Sequence, residues 1–183
     1  MPIVNAKNRG YQKIKGAASA FNFDFRGKTV LDIGSSTGGF TQYALERGAK
    51  KVIAVEKGTN QMAAPLRFDG KVELHEKTDI FDFKPSNEID VVVADVSFLS
   101  LKPVLKHVKL SHADYLVMLK PQFEATPTQL NKGIVKNEKI RREIIKNFEQ
   151  WLKGQDYVII KKHDNDIKGK KGNQERFYWL KTH

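Results

Sequence analysis

Seven short apolar runs, separated by turns or longer amphipathic stretches, constrain this chain more than any other feature. They fall at residues 29–33, 52–55, 71–74, 89–94, 115–119, 157–162 and 176–180. Val91-Val92-Val93 is the clearest, because β-branched residues without polar alternation suit a strand covered on both faces. Between the runs, apolar residues recur at helical spacing over 11–22, 39–47, 61–68, 102–108 and 138–153. In the last stretch Ile140, Ile144, Ile145, Phe148, Trp151 and Leu152 form a stripe that reads as core packing. Such alternation predicts an α/β fold, with a seven-stranded, mostly parallel sheet and helices on both faces. Segments 124–137 and 163–175 read as loops. The 183 residues contain no internal repeat and no linker, so 1–183 is expected to form a single domain, entered through a basic segment over 1–28.

Composition removes several classes of function. Hydrophobic residues make up 40% and charged residues 29%, which suits a folded globule and argues against intrinsic disorder. No run approaches the length of a membrane span and no signal-peptide core opens the chain, so a cytoplasmic protein with no membrane partner is expected. There are no cysteines, which rules out disulfides, thiolate metal sites and a cysteine nucleophile. His75, His107, His112, His163 and His183 are scattered without paired spacing, and no metal is expected.

Charge supplies the first positive indication. Lys and Arg number 32 against 21 Asp and Glu, a formal net charge of +11. An excess of this size favours a polyanionic partner, since Lys and Arg release counterions on meeting phosphates. A lysine-rich surface that only keeps the protein soluble would look similar. The excess is uneven, however. Lys7, Arg9, Lys13, Lys15, Arg26 and Lys28 stand near the N-terminus against only Asp24. Near the C-terminus, 161–176 carries Lys161, Lys162, Lys168, Lys170, Lys171 and Arg176 against three acids. The two segments are placed to meet on one face, with Lys7, Arg9, Lys15, Lys168, Lys170 and Lys171 as candidate contacts to a nucleic acid.

The sharpest local feature is Val30-Leu31-Asp32-Ile33-Gly34-Ser35-Ser36-Thr37-Gly38-Gly39-Phe40. An apolar strand ends in an acid, and a turn of small residues then leads into a helix. Such a turn lets the backbone approach a ligand and presents the open N–H groups of the helix start. A dinucleotide fingerprint would want glycine where Ser36 stands. The spacing of Asp32, Gly34 and Gly38 instead resembles the first motif of methyltransferases that bind S-adenosylmethionine, in which the acid sits near the cofactor's ammonium. An ordinary tight strand-to-helix turn remains the plain alternative. The next strand ends in Glu56, 22 residues after Gly34, where Rossmann-like folds hold ribose hydroxyls. Asp79 and Ile80 follow the third strand, and Asp79 is placed to accept from an adenine amino group, although a loop Asp is also a common turn former.

Asp95 ends the fourth strand and Lys120 the fifth, so both should reach the cleft beyond the carboxyl ends of an open sheet. Pro121 favours an extended backbone at Lys120. On spacing alone an ion pair without chemistry is an equal reading. Five segments then run in order: Asn8-Arg9-Gly10-Tyr11-Gln12-Lys13, the turn through Thr41, Asp95-Val96-Ser97-Phe98-Leu99-Ser100-Leu101, Lys120-Pro121-Gln122-Phe123-Glu124, and Lys132-Gly133-Ile134-Val135. Gly169-Lys170-Lys171-Gly172-Asn173-Gln174-Glu175 extends the series. Together they resemble the FtsJ-like family of ribosomal RNA methyltransferases, and within it the TlyA (haemolysin A-like) branch.

The resemblance implies a Rossmann-like fold, S-adenosylmethionine as cofactor, and ribose 2′-O-methylation of ribosomal RNA. It also implies a Lys-Asp-Lys-Glu tetrad at Lys13, Asp95, Lys120 and Glu175, with Lys120 as the base. Neutralising an ordinary lysine of pKa about 10.4 at pH 7 costs roughly 4–5 kcal/mol. Partial burial and a nearby cation lower that cost. Gly34, Ser35, Ser36, Thr37, Gly38, Phe40, Glu56, Asp79, Ile80 and Asp95 are expected to line the cofactor site with Asp32. Members of that branch begin with a small S4-type RNA-binding domain, for which there is no room ahead of Lys7. RNA docking is then expected to rest on the basic ends, on a partner, or on residues outside this sequence. The alternatives are a membrane-active haemolysin, a silent RNA-binding or assembly factor and, last, an NAD-dependent dehydrogenase. The 138–153 stripe is better explained as core than as a membrane element.

Overall fold

A computed structural model describes residues 8–182. The apolar runs form one seven-stranded sheet: β1 (Thr29–Ile33), β2 (Lys51–Val55), β3 (Val72–His75), β4 (Val91–Ala94), β5 (Asp114–Leu119), β6 (Tyr157–Asp164) and β7 (Arg176–Thr182). Their spatial order is β3-β2-β1-β4-β5-β7-β6. The first five run parallel, while β7 pairs antiparallel with both β5 and β6. All residues of β1 and β4 are buried, as expected of central parallel strands covered on both sides.

Alternation along β1 sorts its side chains to opposite faces. Val30 packs with Ile14, Ala17 and Phe21 of helix α1 (Arg9–Phe21) and with Phe40 and Tyr43 of α2 (Gly39–Glu46). Leu31 and Ile33 face Leu101, Val104 and Leu105 of α4 (Leu101–His107) and Ile145, Phe148 and Leu152 of α6 (Glu138–Gly154). Helix α1 starts at Asn8, whose side chain accepts from the Gly10 N–H, and stops at Asn22 in the left-handed conformation, φ 52°. Asn137 caps α6 by accepting from the Lys139 and Ile140 N–H groups. Buried Arg141 ties α6 to the sheet through Asp164 of β6 at 2.7 Å, and Asp164 also accepts from Arg176 of β7 at 2.6 Å.

Three elements depart from the sequence expectation. The helix expected over 61–68 is a single turn, α3 (Ala64–Arg67). Pro65 has no N–H and is tolerated only in a first helical turn, so a helix cannot start as early as Gln61. A second one-turn helix, α5 (Pro121–Glu124), follows β5 directly and has Lys120 in extended backbone as its N-cap. A β-bulge between Ile159 and Lys161 lets β6 run on to Asp164, into the stretch read as loop.

Phe148 is fully buried and packs against the rings of Trp151 and Tyr178 at 6.1 and 5.5 Å. Phe148→Ala should cost about 3–5 kcal/mol in urea unfolding, because the neighbouring aromatic rings cannot collapse into the space.

Candidate active site

The carboxyl ends of β1, β4 and β5 open into a cleft of about 920 Å³. On its β1 side the chain turns through Gly34, φ 76°, whose N–H donates to the Val55 carbonyl at 2.9 Å. A Cβ on Gly34 would stand 3.1 Å from the Asp95 carbonyl oxygen, so the absence of a side chain lets the first turn nest against the end of β4. Gly39 meets a second close approach, since a Cβ there would lie 2.6 Å from the Tyr11 amide nitrogen. That approach docks the start of α1 on the start of α2, with Asn8 donating to the Thr37 hydroxyl at 2.8 Å. It therefore brings Lys13, one turn further along α1, to the cleft.

Among the seven charged residues that line this cleft are four from distant segments: Lys13, Asp95, Lys120 and Glu175. They form two contacts. Lys13 Nζ donates to Glu175 Oε2 at 2.5 Å, with side-chain exposures of 7% and 2%. Lys120 Nζ lies 2.5 Å from Asp95 Oδ1 and donates to Ser97 Oγ at 2.7 Å. Burying charge to this degree is tolerable only in pairs. Asp95 and Lys120 are thus in contact as a second pair lining the same cleft, a placement common to both readings from spacing.

Ser35, Ser36, Thr37, Gly34 and Phe40 line the cleft, and Gly38 caps α2 behind them. Asp32 does not reach its surface. It is fully buried beneath the turn, where the Thr41 hydroxyl donates to Oδ2 at 2.7 Å and Oδ1 has no hydrogen-bond partner. Ser35 Oγ, also buried, is likewise unpartnered. Glu56 spends one oxygen on the Ser36 N–H at 2.9 Å and the other on the Gly58 N–H at 2.7 Å. Asp79 makes an ion pair with Lys57 at 2.9 Å and accepts from the Phe81 N–H at 3.1 Å, and the Lys57 hydrogen bond holds its carboxyl below the usual range. Ile80 belongs to the core. Glu56, Asp79 and Ile80 therefore lie outside the cleft lining, with Gln61 standing against Gly58 and within 3.3 Å of the Ser36 hydroxyl.

The basic ends meet. Arg9 donates to the Lys168 carbonyl, and Lys161 donates to the Phe21 carbonyl at 2.9 Å. Arg9, Lys170 and Lys171 line the cleft, while Lys15 and Lys168 are exposed outside it. Lys7 lies outside the described residues.

The FtsJ-like methyltransferase family profile matches residues 6–182. The chain belongs to that family. It is 35% identical over 175 residues to the 23S rRNA (cytidine-2′-O)-methyltransferase TlyA of Campylobacter jejuni, covering 94% of this chain and 69% of that one. It is 35% identical over 182 residues to the 16S/23S rRNA (cytidine-2′-O)-methyltransferase TlyA of Mycobacterium tuberculosis, covering 96% and 68%. A solved Streptococcus thermophilus structure, provisionally described as a hemolysin, superposes with a TM-score of 0.89 at 33% identity, covering 95% of this chain and 66% of that one. The chain thus spans about two thirds of the length of these relatives. Among the described residues no helix is long and apolar enough to cross a membrane, and no three His, Asp or Glu side chains are gathered to hold a metal ion.

The turn suits the methyl donor of an FtsJ-like enzyme, S-adenosylmethionine. Asp32 Oδ1 and Ser35 Oγ, beneath and in that turn, are buried polar atoms without hydrogen-bond partners, a polarity compatible with a cationic, hydroxyl-bearing ligand against the turn.

Several residues that shape the cleft had no role assigned from sequence. Ser97 holds Lys120, and Phe98 is 92% exposed in a left-handed backbone, φ 66°, with its ring 5.4 Å from that of Phe123. Buried Asn173 donates to the Gly133 carbonyl and accepts from the Val135 N–H, both at 3.0 Å, so it ties the 131–135 turn to the loop before Glu175. Each sits inside a motif already noted, but polarity alone did not mark it out.

The Asp32 carboxyl is pushed up to about 7, first by burial, against the Thr41 hydrogen bond and with help from the charges of Asp95 and Glu56. An unfolded Asp titrates near 3.9, so over this range the folded state binds the proton more tightly. The group's contribution to cofactor-free stability should therefore fall as pH rises from about 4 to about 7 and then level off. Urea unfolding across that range checks this, and Asp32→Asn should flatten the slope.

Proposed function

We propose that this protein transfers the methyl group of S-adenosylmethionine to a ribose 2′-hydroxyl of ribosomal RNA, with residues 1–183 forming one catalytic unit. The observation that carries the reading is the convergence of Lys13, Asp95, Lys120 and Glu175 in one cleft beside the glycine turn. When bound, the cofactor supplies a methyl group already activated by its positive sulfur. The protein has then to hold the hydroxyl oxygen in line and remove its proton. Lys120 first gives up one ammonium proton to solvent; its neutral amine then takes the hydroxyl proton on Nζ, while Asp95 and Ser97 fix the direction of the amine. Lys13, held by Glu175, faces the developing charge on the oxygen. That oxygen would take the methyl group of the bound donor, leaving the S–CH3 electron pair on sulfur.

Binding of the donor falls to Gly34, Ser35, Ser36, Thr37, Gly38 and Phe40, with Asp32 beneath the turn compensating the donor's ammonium. Glu56, Asp79 and Ile80 serve its ribose and adenine. The backbone amides on Glu56 occupy one lone pair of each oxygen and leave others for hydroxyl groups. Arg9, Lys170 and Lys171 at the cleft meet RNA phosphates, extended by Lys7, Lys15 and Lys168. Exposed Phe98 offers a face on which an unstacked base can lie. A ribosomal RNA substrate places the protein in the cytoplasm.

The test is methyl transfer from labelled S-adenosylmethionine to ribosomal subunits and to naked ribosomal RNA. The label should appear at a nucleotide whose 3′ linkage resists alkali, because a methylated 2′-oxygen cannot attack the phosphate. Lys120→Ala should lower turnover by at least about a hundredfold, with cofactor affinity by calorimetry unchanged. Near-normal turnover in that variant would overturn the assignment of the base.

A further inference from the structure

One buried acid at the cleft stands outside the tetrad. Glu124 ends α5, four residues after Lys120, and its side chain is 5% exposed. It does not face the cleft. Instead it crosses to the loop that follows β4, where the Ser100 hydroxyl donates to Oε2 at 2.8 Å and the Leu101 N–H donates to Oε1 at 2.7 Å. Lys102 Nζ is 4.0 Å away.

These contacts close a ring. At one end Lys120 meets Asp95 and Ser97; at the other, Glu124 meets Ser100 and Leu101. Between them the rings of Phe98 and Phe123 pack across the gap. The loop over 95–100 contains a bulky residue in left-handed backbone, Phe98, and such a conformation persists only where its surroundings over-determine it. Anchors at both ends of the loop supply that determination. A capping role alone does not account for Glu124, because Ser100 already caps α4 by accepting from the Lys102 N–H. Nor is a full charge needed for one N–H and one hydroxyl. Its use across two separate segments gives a stiff link whose other end is Lys120.

We propose that Glu124 is a positioning residue: it locks the loop after β4 to helix α5 and so sets the Lys120 amine against Asp95 and Ser97. The proposal rests on the reading of Lys120 as the base.

The test uses Glu124→Ala and Glu124→Gln in the full chain, beside Lys120→Ala. Glu124→Ala should lower kcat about ten- to a hundredfold, with the RNA KM, cofactor affinity and binding stoichiometry unchanged. Glu124→Gln keeps an oxygen for the Leu101 N–H and should restore most of kcat. A second readout does not depend on activity. Lys120 and Lys13 are comparably shielded, with side-chain exposures of 10% and 7%, but Lys13 lies on α1, outside the two segments that Glu124 joins. An amine-reactive reagent followed by peptide mass spectrometry should label Lys120 several-fold faster in Glu124→Ala and leave the Lys13 rate unchanged. Equal acceleration at both lysines, or a kcat loss matched by lost binding stoichiometry, reduces Glu124 to a fold-stabilising residue and overturns the proposal. So does an unchanged Lys120 labelling rate. An active Lys120→Ala removes the base reading, whereas an inactive Lys120→Ala beside an unaltered Glu124→Ala removes only the clamp.

Discussion

Two ammonium–carboxylate contacts, Lys13 with Glu175 and Lys120 with Asp95, gather the ends of the chain and the middle of the sheet around one cleft. Buried charge is costly unless paired, so neither partner of the Lys13–Glu175 contact tolerates removal of the other. This requirement links α1, near the N-terminus, to the loop before β7, near the C-terminus, and the sheet order makes the link possible. β7 inserts antiparallel beside β5, so the residue that enters β7 lies next to the residue that leaves β5. An added parallel strand would have put Glu175 at the opposite edge. The antiparallel strand is thus part of the site as well as of the fold.

The central strands were legible because β1, β4 and β5 are buried on both faces and therefore read as unbroken apolar runs. The α6 stripe was legible because one face of a long helix buries Ile144, Ile145, Phe148 and Leu152. The one-turn helices α3 and α5 were not, since four residues are too few to display a period and their starts depend on a proline. The same holds within the site. The four tetrad positions could be named from ordered motifs, yet which acid would pair with which lysine is a matter of tertiary placement. Asp32 was legible as an acid at a strand end but not as a fully buried one, because its exposure is decided by how closely Gly34 and Gly39 let other backbone approach. Ser97, Asn173 and Glu124 act through hydrogen bonds to segments far away in sequence, and no local pattern records such partners.

The two halves of the cofactor region differ in how far the protein prepares them. At and beneath the glycine turn, buried polar atoms of Asp32 and Ser35 stand without hydrogen-bond partners, which on the proposed reading the methionine end of the donor offsets. On the far side, Glu56 and Asp79 already satisfy backbone N–H groups or Lys57, and Gln61 stands over Gly58. Glu56 keeps lone pairs beyond those its two amides use, whereas both Asp79 oxygens are engaged, so on the proposed reading the adenine end of the donor meets groups that already have partners.

Net charge and local charge carry separate information in this chain. The excess of +11 belongs to surface lysines and arginines, and at the cleft it is represented by Arg9, Lys170 and Lys171. Those residues attract a polyanion without regard to sequence, through an interaction that salt weakens. The tetrad, with two lysines and two acids, is formally neutral and adds nothing to that attraction. It follows that composition could point to the class of partner but not to the reaction. On the proposed reading, the cations at the cleft meet phosphate with little geometric demand. The placement of the reacting oxygen then falls to the contacts of Lys120 with Asp95 and Ser97 and of Lys13 with Glu175, which are short and shielded from the ions that weaken the first interaction.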